Sequence, residues 1–562
     1  MSKVVSAARE QLNHLILSGI EEAIRCGELP EAAAPGFTIE RPADRSHGDF
    51  ATNAAMAGAR IFRSSPQKIA ASIIAHIELE GTYFDKCEIA GPGFINFFLS
   101  PKFNADVLLD VMAMGEKYGT SDYGKGKKVL VEFVSANPTG PMHIGNARGG
   151  AIGDCLASVL SAAGYETSRE FYINDAGNQI EKFATSLEVR YLQLFDPSVE
   201  MPEDAYHGVD IVNHAKNFAE INGDKFVKCE AAERRKALVD FALPVNIQAL
   251  EDDLRKYRIE YDTWFKESTL HQSGAVGEVI EKMKESGHTY EKDGALWFKA
   301  TEFGNEKDIV LVRDNGIPTY IVPDIAYHYN KLVTRGFDKA INVLGADHHG
   351  YITRLKGALD AFGVDPSRLD IVIMQMVRLV RNGEAVKLSK RSGKAITLNT
   401  LLEDIPIDAA RFFFNLREPN SQFDFDLDLA VQDDSQNPVY YVQYAHARIC
   451  SILRALKEDG ITPEPCGEKE LSLLKEDEEI ELIRHISAYT DEIISAAKDY
   501  DPARITRYVI TLATLFHKFY NACRVKGTER DLMQARLCLC VSTATVIKNV
   551  LSLLKITAPE SM

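Results

Sequence analysis

The run Val129-Leu-Val-Glu-Phe-Val134 leaves this chain little choice of architecture. A short, nearly continuous apolar segment suits a parallel strand covered on both faces. The Gly- and Lys-rich stretch GTSDYGKGKK precedes it, and the loop SANPTGPMHIGN follows. An apolar helical run then extends from Ala147 to Ala163, and Gly164 closes it. A second strand is expected over Glu166–Ile173. Strand, helix and strand in this order open a doubly wound sheet, whose ligands bind at the carboxyl ends of the strands. Later strand candidates are Ile309–Arg313, Lys339–Leu344 and Asp370–Leu379. The stretch 180–305 is charged and mostly helical in pattern, and reads as an insertion.

This sheet is one part of a larger chain. At about 150 residues per domain, 562 residues predict three to four domains. Residues 1–120 read as a small α+β domain. Val5, Ala8, Leu12, Ile16 and Ile20 recur at helical spacing, Pro66 opens a further helix, and the strand-like EIAGPGFINFFLS turns at Gly91-Pro92-Gly93. Residues 121–436 hold the sheet. Residues 437–562 are helical throughout, with Val442, Ala445, Ile449, Ile452 and Leu456 forming one apolar stripe. The expected fold is multidomain α/β: a Rossmann-like doubly wound parallel sheet, a small α+β N-terminal domain and an all-α C-terminal domain.

Apolar residues make up 45% of the chain, enough to exclude disorder as its main state. No run approaches the roughly 18 continuous apolar residues of a membrane span. The charged N-terminus is not that of a secretory signal. Nine scattered cysteines, of which Cys538-Leu-Cys540 are too close for a zinc half-site, point to a reducing cytoplasm. The net charge of −17 argues against nucleic acid as a partner. It is unevenly spread, however. Residues 458–501 carry 14 acidic and 4 basic side chains, whereas residues 502–562 carry 9 basic and 3 acidic ones.

Three clusters carry chemistry. The first is Glu132-Phe-Val-Ser-Ala-Asn-Pro-Thr-Gly-Pro-Met-His-Ile-Gly-Asn-Ala-Arg148, running from a strand end to a helix N-terminus. Free N–H groups and the helix dipole attract phosphate there, and His143 and Asn146 add side-chain donors. Gly145 lets a ligand approach the backbone. The second cluster comprises Arg378, Arg381, Lys387, Lys390, Arg391 and Lys394, opposed only by Glu384. Such lysines can fold over a polyphosphate and stabilise a departing pyrophosphate; as a bare pattern the run equally fits a basic surface loop. The third is Leu344-Gly-Ala-Asp-His-His-Gly-Tyr351, whose Gly345, Asp347 and His348 follow an apolar strand where ribose contacts are made. No metal site is expected at its paired histidines, which lack a Cys or acidic partner at zinc spacing.

In this order, these clusters resemble a class I aminoacyl-tRNA synthetase. His143-Ile-Gly-Asn146 resembles the "HIGH" signature and Lys387-Leu-Ser-Lys-Arg391 the "KMSKS" signature, roughly 240 residues later. Glu132-x-x-Ser-x-Asn137, Tyr320-x-x-x-Asp324, His47-Gly-Asp-Phe-Ala-Thr52 and the segment Tyr440–Arg448 narrow the resemblance to the arginyl-tRNA synthetases, over essentially the whole chain. Asn146 stands where the first signature often ends in His, and Leu388 where Met is common. Asn146 keeps a hydrogen-bond donor without a titratable ring, and Leu388 exchanges one apolar side chain for another.

The resemblance implies a two-step reaction. The arginine carboxylate attacks the α-phosphorus of ATP, releasing pyrophosphate. The arginyl group then passes to the 2′-hydroxyl of the terminal adenosine of tRNA. Positioning and charge stabilisation carry such a reaction, with no protein nucleophile. His143, Asn146, Lys387, Lys390 and Arg391 are then the catalytic candidates. Gly145, Gly345, Asp347 and His348 join His143, Asn146, Lys387 and Lys390 around ATP, with Mg²⁺ on its phosphates. Glu132, Ser135, Asn137, Tyr320 and Asp324 are the candidates for arginine, with Tyr320 and Asp324 at the guanidinium. From the residues alone, Asp324 after Pro323 reads as a cap for a helix Ile325–Leu332. For tRNA, Tyr440, Tyr444, Arg448 and Arg524 offer stacking and charge, with Tyr441, Phe519 and Tyr520 nearby. The implied partners are arginine tRNA, L-arginine and ATP, for a cytoplasmic monomer without membrane attachment. The family commonly needs bound tRNA before it activates arginine. The alternatives are a class I synthetase for another amino acid, a non-catalytic tRNA-binding paralogue and a small-molecule nucleotidyltransferase. Missing zinc ligands and limited room for an editing insertion oppose the first, intact His143, Lys387 and Lys390 the second, and the helical C-terminal domain the third.

Overall fold

The computed structural model describes residues 3–42, 44–346, 349–386 and 396–562. The N-terminal part is an antiparallel sheet of β1 (Ile39–Glu40), β2 (Phe50–Thr52), β3 (Phe84–Ala90) and β4 (Phe94–Leu99), ordered β1-β2-β4-β3. The helix Lys3–Arg25 packs its stripe of Val5, Ala8, Leu12, Ile16 and Ile20 into the core. The β3–β4 turn needs glycine at 93, where φ is +125° and a Cβ would lie 2.5 Å from the Pro66 side chain.

The central sheet has five parallel strands: β5 (Lys128–Glu132), β6 (Glu166–Ile173), β7 (Thr263–Lys266), β11 (Lys339–Gly345) and β12 (Leu369–Met374). Their order is β12-β11-β5-β6-β7. The chain leaves β5 for β6 on one side and later returns to place β11 on the other. The topological switch point therefore lies between β5 and β11. The signature helix, Ile144–Ala162, crosses from β5 to β6.

Three expectations are corrected here. The stretch 180–305 is not a purely helical insertion, because it supplies β7. That strand is only four residues long, and Trp264 stacks on Phe171 of β6 with ring centroids 4.5 Å apart. Ile309–Arg313 does not join the central sheet. It forms β10 (Ile309–Val312), which pairs antiparallel with β9 (Ala295–Phe298) and, beyond that, β8 (Thr289–Lys292). Asp370–Leu379 is two strands rather than one. At Gln375 the backbone leaves the sheet: its N–H donates to the Pro419 carbonyl at 2.9 Å, and its own carbonyl accepts from Arg148 at 2.6 Å. The chain then continues as β13 (Val377–Arg381), which pairs with β14 (Glu384–Ala385) and β15 (Phe423–Asp426).

From Pro438 onward the described elements are helices, the longest being Pro438–Glu458, Ala503–Ala522 and Arg530–Leu553. The last is long and apolar enough to cross a membrane, yet Leu537, Leu539, Val546, Ile547 and Val550 are buried in the bundle. The bundle also grips the rest of the chain. Asn549 donates to the Gly115 carbonyl at 2.9 Å, and the Arg484 guanidinium meets Asp49 at 2.8 Å. At the centre, Arg411 is fully buried. It donates to the Leu554 carbonyl at 2.7 Å, the Tyr257 carbonyl at 2.9 Å and the Asp154 carboxylate at 2.5 Å. Asp154 lies on the signature helix, so one guanidinium ties that helix to the end of the C-terminal bundle.

Candidate active site

β5 ends at Glu132, and the backbone then turns sharply. Val134 has φ +69° and Ser135 φ +41°, a conformation unfavourable for non-glycine residues and most of all for a β-branched one. Three bonds at Ser135 hold the turn. Its N–H donates to the Phe133 carbonyl at 3.0 Å, its hydroxyl donates to Glu132 at 2.9 Å, and that hydroxyl accepts from the Tyr172 N–H at 3.1 Å. Further along, Asn246 of the helix Ala231–Lys256 donates to the Pro138 carbonyl at 2.9 Å. Asn137, beside Pro138, is exposed.

The signature helix starts at Ile144, earlier than the apolar pattern places it, with His143 as its N-cap. The Asn146 side-chain oxygen accepts from the His143 N–H at 3.1 Å. The amide's carbonyl end therefore closes the helix start and leaves its NH₂ end for a ligand. His143 itself is exposed. Thr397 bridges antiparallel to His143, and the Leu398 N–H donates to the Met142 carbonyl at 3.0 Å. Residues just downstream of the second signature thus lie against the first. Lys387, Lys390, Arg391 and Lys394 fall outside the described residues, as do Asp347 and His348. Gly345 ends β11, next to β5 at the switch point. The basic cluster expected around 378–394 is partly neutralised: Arg378 pairs with Asp424 and Arg381 with Asp404.

Across the sheet end lies a cleft of about 430 Å³, lined by Glu267, Ser268, Arg313, Thr319, Tyr320 and Pro323, among others. Glu267 follows β7 directly. Tyr320 is 60% exposed, at the start of the helix Ile321–Tyr329. Asp324 is not the cap of a helix Ile325–Leu332, because the helix has already begun at Ile321. Its carboxylate instead accepts from the Tyr351 hydroxyl. Burial lifts the Asp324 carboxyl to about 7; the Glu132 and Glu267 carboxylates add to the rise, while the Tyr351 hydroxyl and Lys331 oppose it. Three acids thus converge on one end of the sheet. Glu132 differs from the other two, since Lys331 occupies one of its oxygens at 2.5 Å and Ser135 the other. No metal cluster of three His, Cys, Asp or Glu side chains occurs among the described residues.

Comparison with known proteins agrees with this geometry. Three family models match in sequence: the arginyl-tRNA synthetase N-terminal domain over residues 10–99, the class I (R) tRNA synthetase catalytic domain over 108–434 and the DALR anticodon-binding domain over 442–562. The arginine–tRNA ligase of Caldanaerobacter subterraneus is 56% identical over the full length of both chains. That of Acetivibrio thermocellus is 54% identical, also over both full lengths. The chain belongs to the arginyl-tRNA synthetase family. It is an arginine–tRNA ligase, rather than a synthetase for another amino acid or a non-catalytic paralogue. The solved arginyl-tRNA synthetase of Thermus thermophilus shares the fold, with a TM-score of 0.73 at 22% identity, covering 98% of this chain and all of the other.

In this synthetase the sequence reading missed Glu267, Tyr351 and Lys331. The cue for Glu267 was Thr-Trp-Phe-Lys before Glu-Ser, a short aromatic strand hidden between charged helices. Tyr351 and Lys331 carry no local signal, since both matter through partners distant in sequence.

On the anticodon-binding domain, Tyr440 and Tyr444 stack with centroids 6.2 Å apart, and Tyr444 is 40% exposed. Arg448 lies 4.3 Å from the centre of the Tyr520 ring. Both border a groove of about 550 Å³ that also takes in Ile452, Arg524 and Lys526. Phe519, expected to offer stacking, is instead fully buried in the core. Much of the basic C-terminal charge is spent internally. Arg504, Arg507, Lys526, Arg530 and Arg536 all pair with acids of the 458–501 segment. Arg524 and Lys518 have no ion-pair partner among the described residues.

Proposed function

We propose that this arginine–tRNA ligase reads the guanidinium of its substrate with Asp324 and Glu267, beneath Tyr320. A guanidinium is planar and always charged, so it calls for fixed carboxylates. The observation that carries this reading is the Asp324 carboxyl, raised to about 7 beside two further acids. Such a site is short of one cation. Ser135 and Asn137, with Glu132 behind them, lie toward the α-amino and carboxylate end. There the arginine carboxylate oxygen bonds to the α-phosphorus of ATP while the bond to the β-phosphate oxygen breaks. His143, Asn146 and the backbone at Gly145 meet the phosphates at the helix start. Gly345, Asp347 and His348 serve the nucleoside, and Lys387, Lys390 and Arg391 stabilise the leaving pyrophosphate. Mg²⁺ arrives with ATP, held mainly by phosphate oxygens and water, as this ion prefers.

For tRNA, Tyr440, Tyr444, Arg448 and Arg524 form the receiving face, with bases stacking on the tyrosines. The helix Tyr489–Asp499 of the same domain packs on the signature helix, which supports a requirement for tRNA in the activation step. We read the enzyme as a cytoplasmic monomer without membrane attachment. Nine unpaired cysteines suit a reducing compartment, and the most apolar long helix is buried.

The deciding experiment is ATP–pyrophosphate exchange with each of the twenty amino acids, with and without tRNA. Only arginine should support exchange, and only when tRNA is present. Exchange that survives in His143→Ala would remove that residue from the machinery.

A further inference from the structure

Lys331 lies under the site in an unusual piece of backbone. The helix Ile321–Tyr329 does not stop at its end but widens into one π-helical turn over Asn330–Thr334. Such turns are rare and occur preferentially at functional sites. The wide turn carries Lys331 inward, where it is fully buried. Its ammonium donates to Glu132 at 2.5 Å and to Asn342 at 3.2 Å, and lies 3.9 Å from the centre of the Tyr327 ring.

Each partner leads onward. Asn342 on β11 is the cross-strand partner of Glu132 on β5. Its side-chain amide donates to His328 Nε2 at 2.9 Å, and His328 Nδ1 donates to the Asp324 carbonyl at 2.8 Å. On the other side, Glu132 accepts from the Ser135 hydroxyl, which accepts in turn from Tyr172. One buried chain of bonds therefore joins the backbone of Asp324 to the turn at Val134 and Ser135. Lys331 is its only cation.

The turn needs such an anchor. Two consecutive non-glycine residues at positive φ would relax if the Ser135 hydroxyl lost its acceptor. Everything downstream, from Asn137 to His143, takes its direction from that turn. We propose that Lys331 is a positioning residue: by fixing Glu132, it fixes Ser135, and so holds the loop that presents Asn137 and His143 in register with Asp324. This deepens the reading above and rests on its assignment of the loop to arginine and ATP.

Lys331→Met alone would strand a buried carboxylate and can fail to fold. The first variant is therefore Lys331→Met with Glu132→Gln, which removes both charges. The second is Ser135→Ala, which deletes only the hydroxyl. A core control, Val343→Ala on β11, matches the loss of thermal stability without touching the chain of bonds. Steady-state ATP–pyrophosphate exchange is measured with tRNA present, and amide hydrogen exchange is followed over residues 134–146. In both test variants kcat should fall about a hundredfold, as for misplacement of reacting groups by about an ångström. Arginine KM should stay within about threefold, because Asp324 and Glu267 remain. Amides of the loop should exchange faster in both test variants and not in the control. The proposal is overturned if kcat falls no further than in the control, if the whole loss appears in arginine KM, or if loop exchange is unchanged. His143→Ala separates the two levels. If it stays active, the reading of the loop fails; if it is inactive while the Lys331 and Ser135 variants match the control, only the present proposal fails.

Discussion

The arginine pocket and the anticodon-binding face solve the same problem, selecting a charged ligand, in opposite ways. The pocket withholds solvent from its acids, so Asp324 titrates near 7 in the empty enzyme and gains most when a cation arrives. The anticodon face stays in water and disposes of most of its charge before any ligand comes. Five of its basic side chains are paired with the neighbouring acidic segment, leaving Arg524, Lys518 and the Arg448–Tyr520 pair. Charge that is buried gives discrimination between side chains. Charge that is exposed and selectively left unpaired gives a salt-sensitive, extended docking surface.

The largest expected effect is at Asp324. Asp324→Asn keeps the shape and removes the charge, so arginine KM should rise by two or more orders of magnitude on the scale of lost charged bonds. ATP KM should scarcely change. Equal damage to both would place Asp324 in the framework instead of the pocket.

The next effect is a proton dependence that the anticodon face lacks. The Asp324 carboxyl is raised from its usual 3.8 to about 7, so below about pH 7 it is neutral and a poor partner for guanidinium. Arginine KM should rise about tenfold per pH unit on the acid side and level off above about pH 8. The same shift acts on folding with the opposite sense to an ordinary ion pair. A raised carboxyl favours the folded state when protonated, so stability is lost as pH climbs from about 4 to 7. Asp324→Asn should therefore raise Tm at pH 8 and leave it unchanged near pH 4. A KM profile for the wild type as flat as that for the variant would refute the assignment.

On the anticodon face the effects are smaller and divide by type. Tyr444→Ala should weaken tRNA binding by about 1–3 kcal/mol at every salt concentration, because stacking releases no counterions. Arg524→Ala should instead reduce the slope of log affinity against log salt by about one unit. Lys526→Ala, whose charge Asp459 already neutralises, should leave that slope as it is. Equal changes in slope for Arg524 and Lys526 would show that the internal pairing does not decide which cations meet phosphate.

What was legible in the sequence follows from how local the cause is. Glu166–Ile173 was read to the residue, because a run of alternating β-formers bounded by Gly164 determines itself. β7 was missed because four residues give too little pattern, and its strand character comes from Trp264 lying on Phe171. Asp370–Leu379 read as one strand because nothing local marks Gln375, whose break is made by Arg148 and Pro419. Asp324 was found only through resemblance; its neighbours in sequence make it a cap, and its environment comes from Tyr351, Glu132 and Glu267. The charge imbalance between 458–501 and 502–562 was visible, but the mutual cancellation of the two segments needed the bundle.

Arg411 has a consequence for how the protein is made. Its guanidinium is buried within the catalytic half, yet one of its acceptors is the carbonyl of Leu554, almost the last part of the chain to leave the ribosome. Until then a fully desolvated donor stands open beside Asp154 of the signature helix, at a cost typical of an unsatisfied buried charged group. A chain cut short before Leu554 keeps that defect permanently. The catalytic core thus carries its own proof of completed translation, and truncated copies are marked for proteolysis by a flaw more than a hundred residues upstream of the cut.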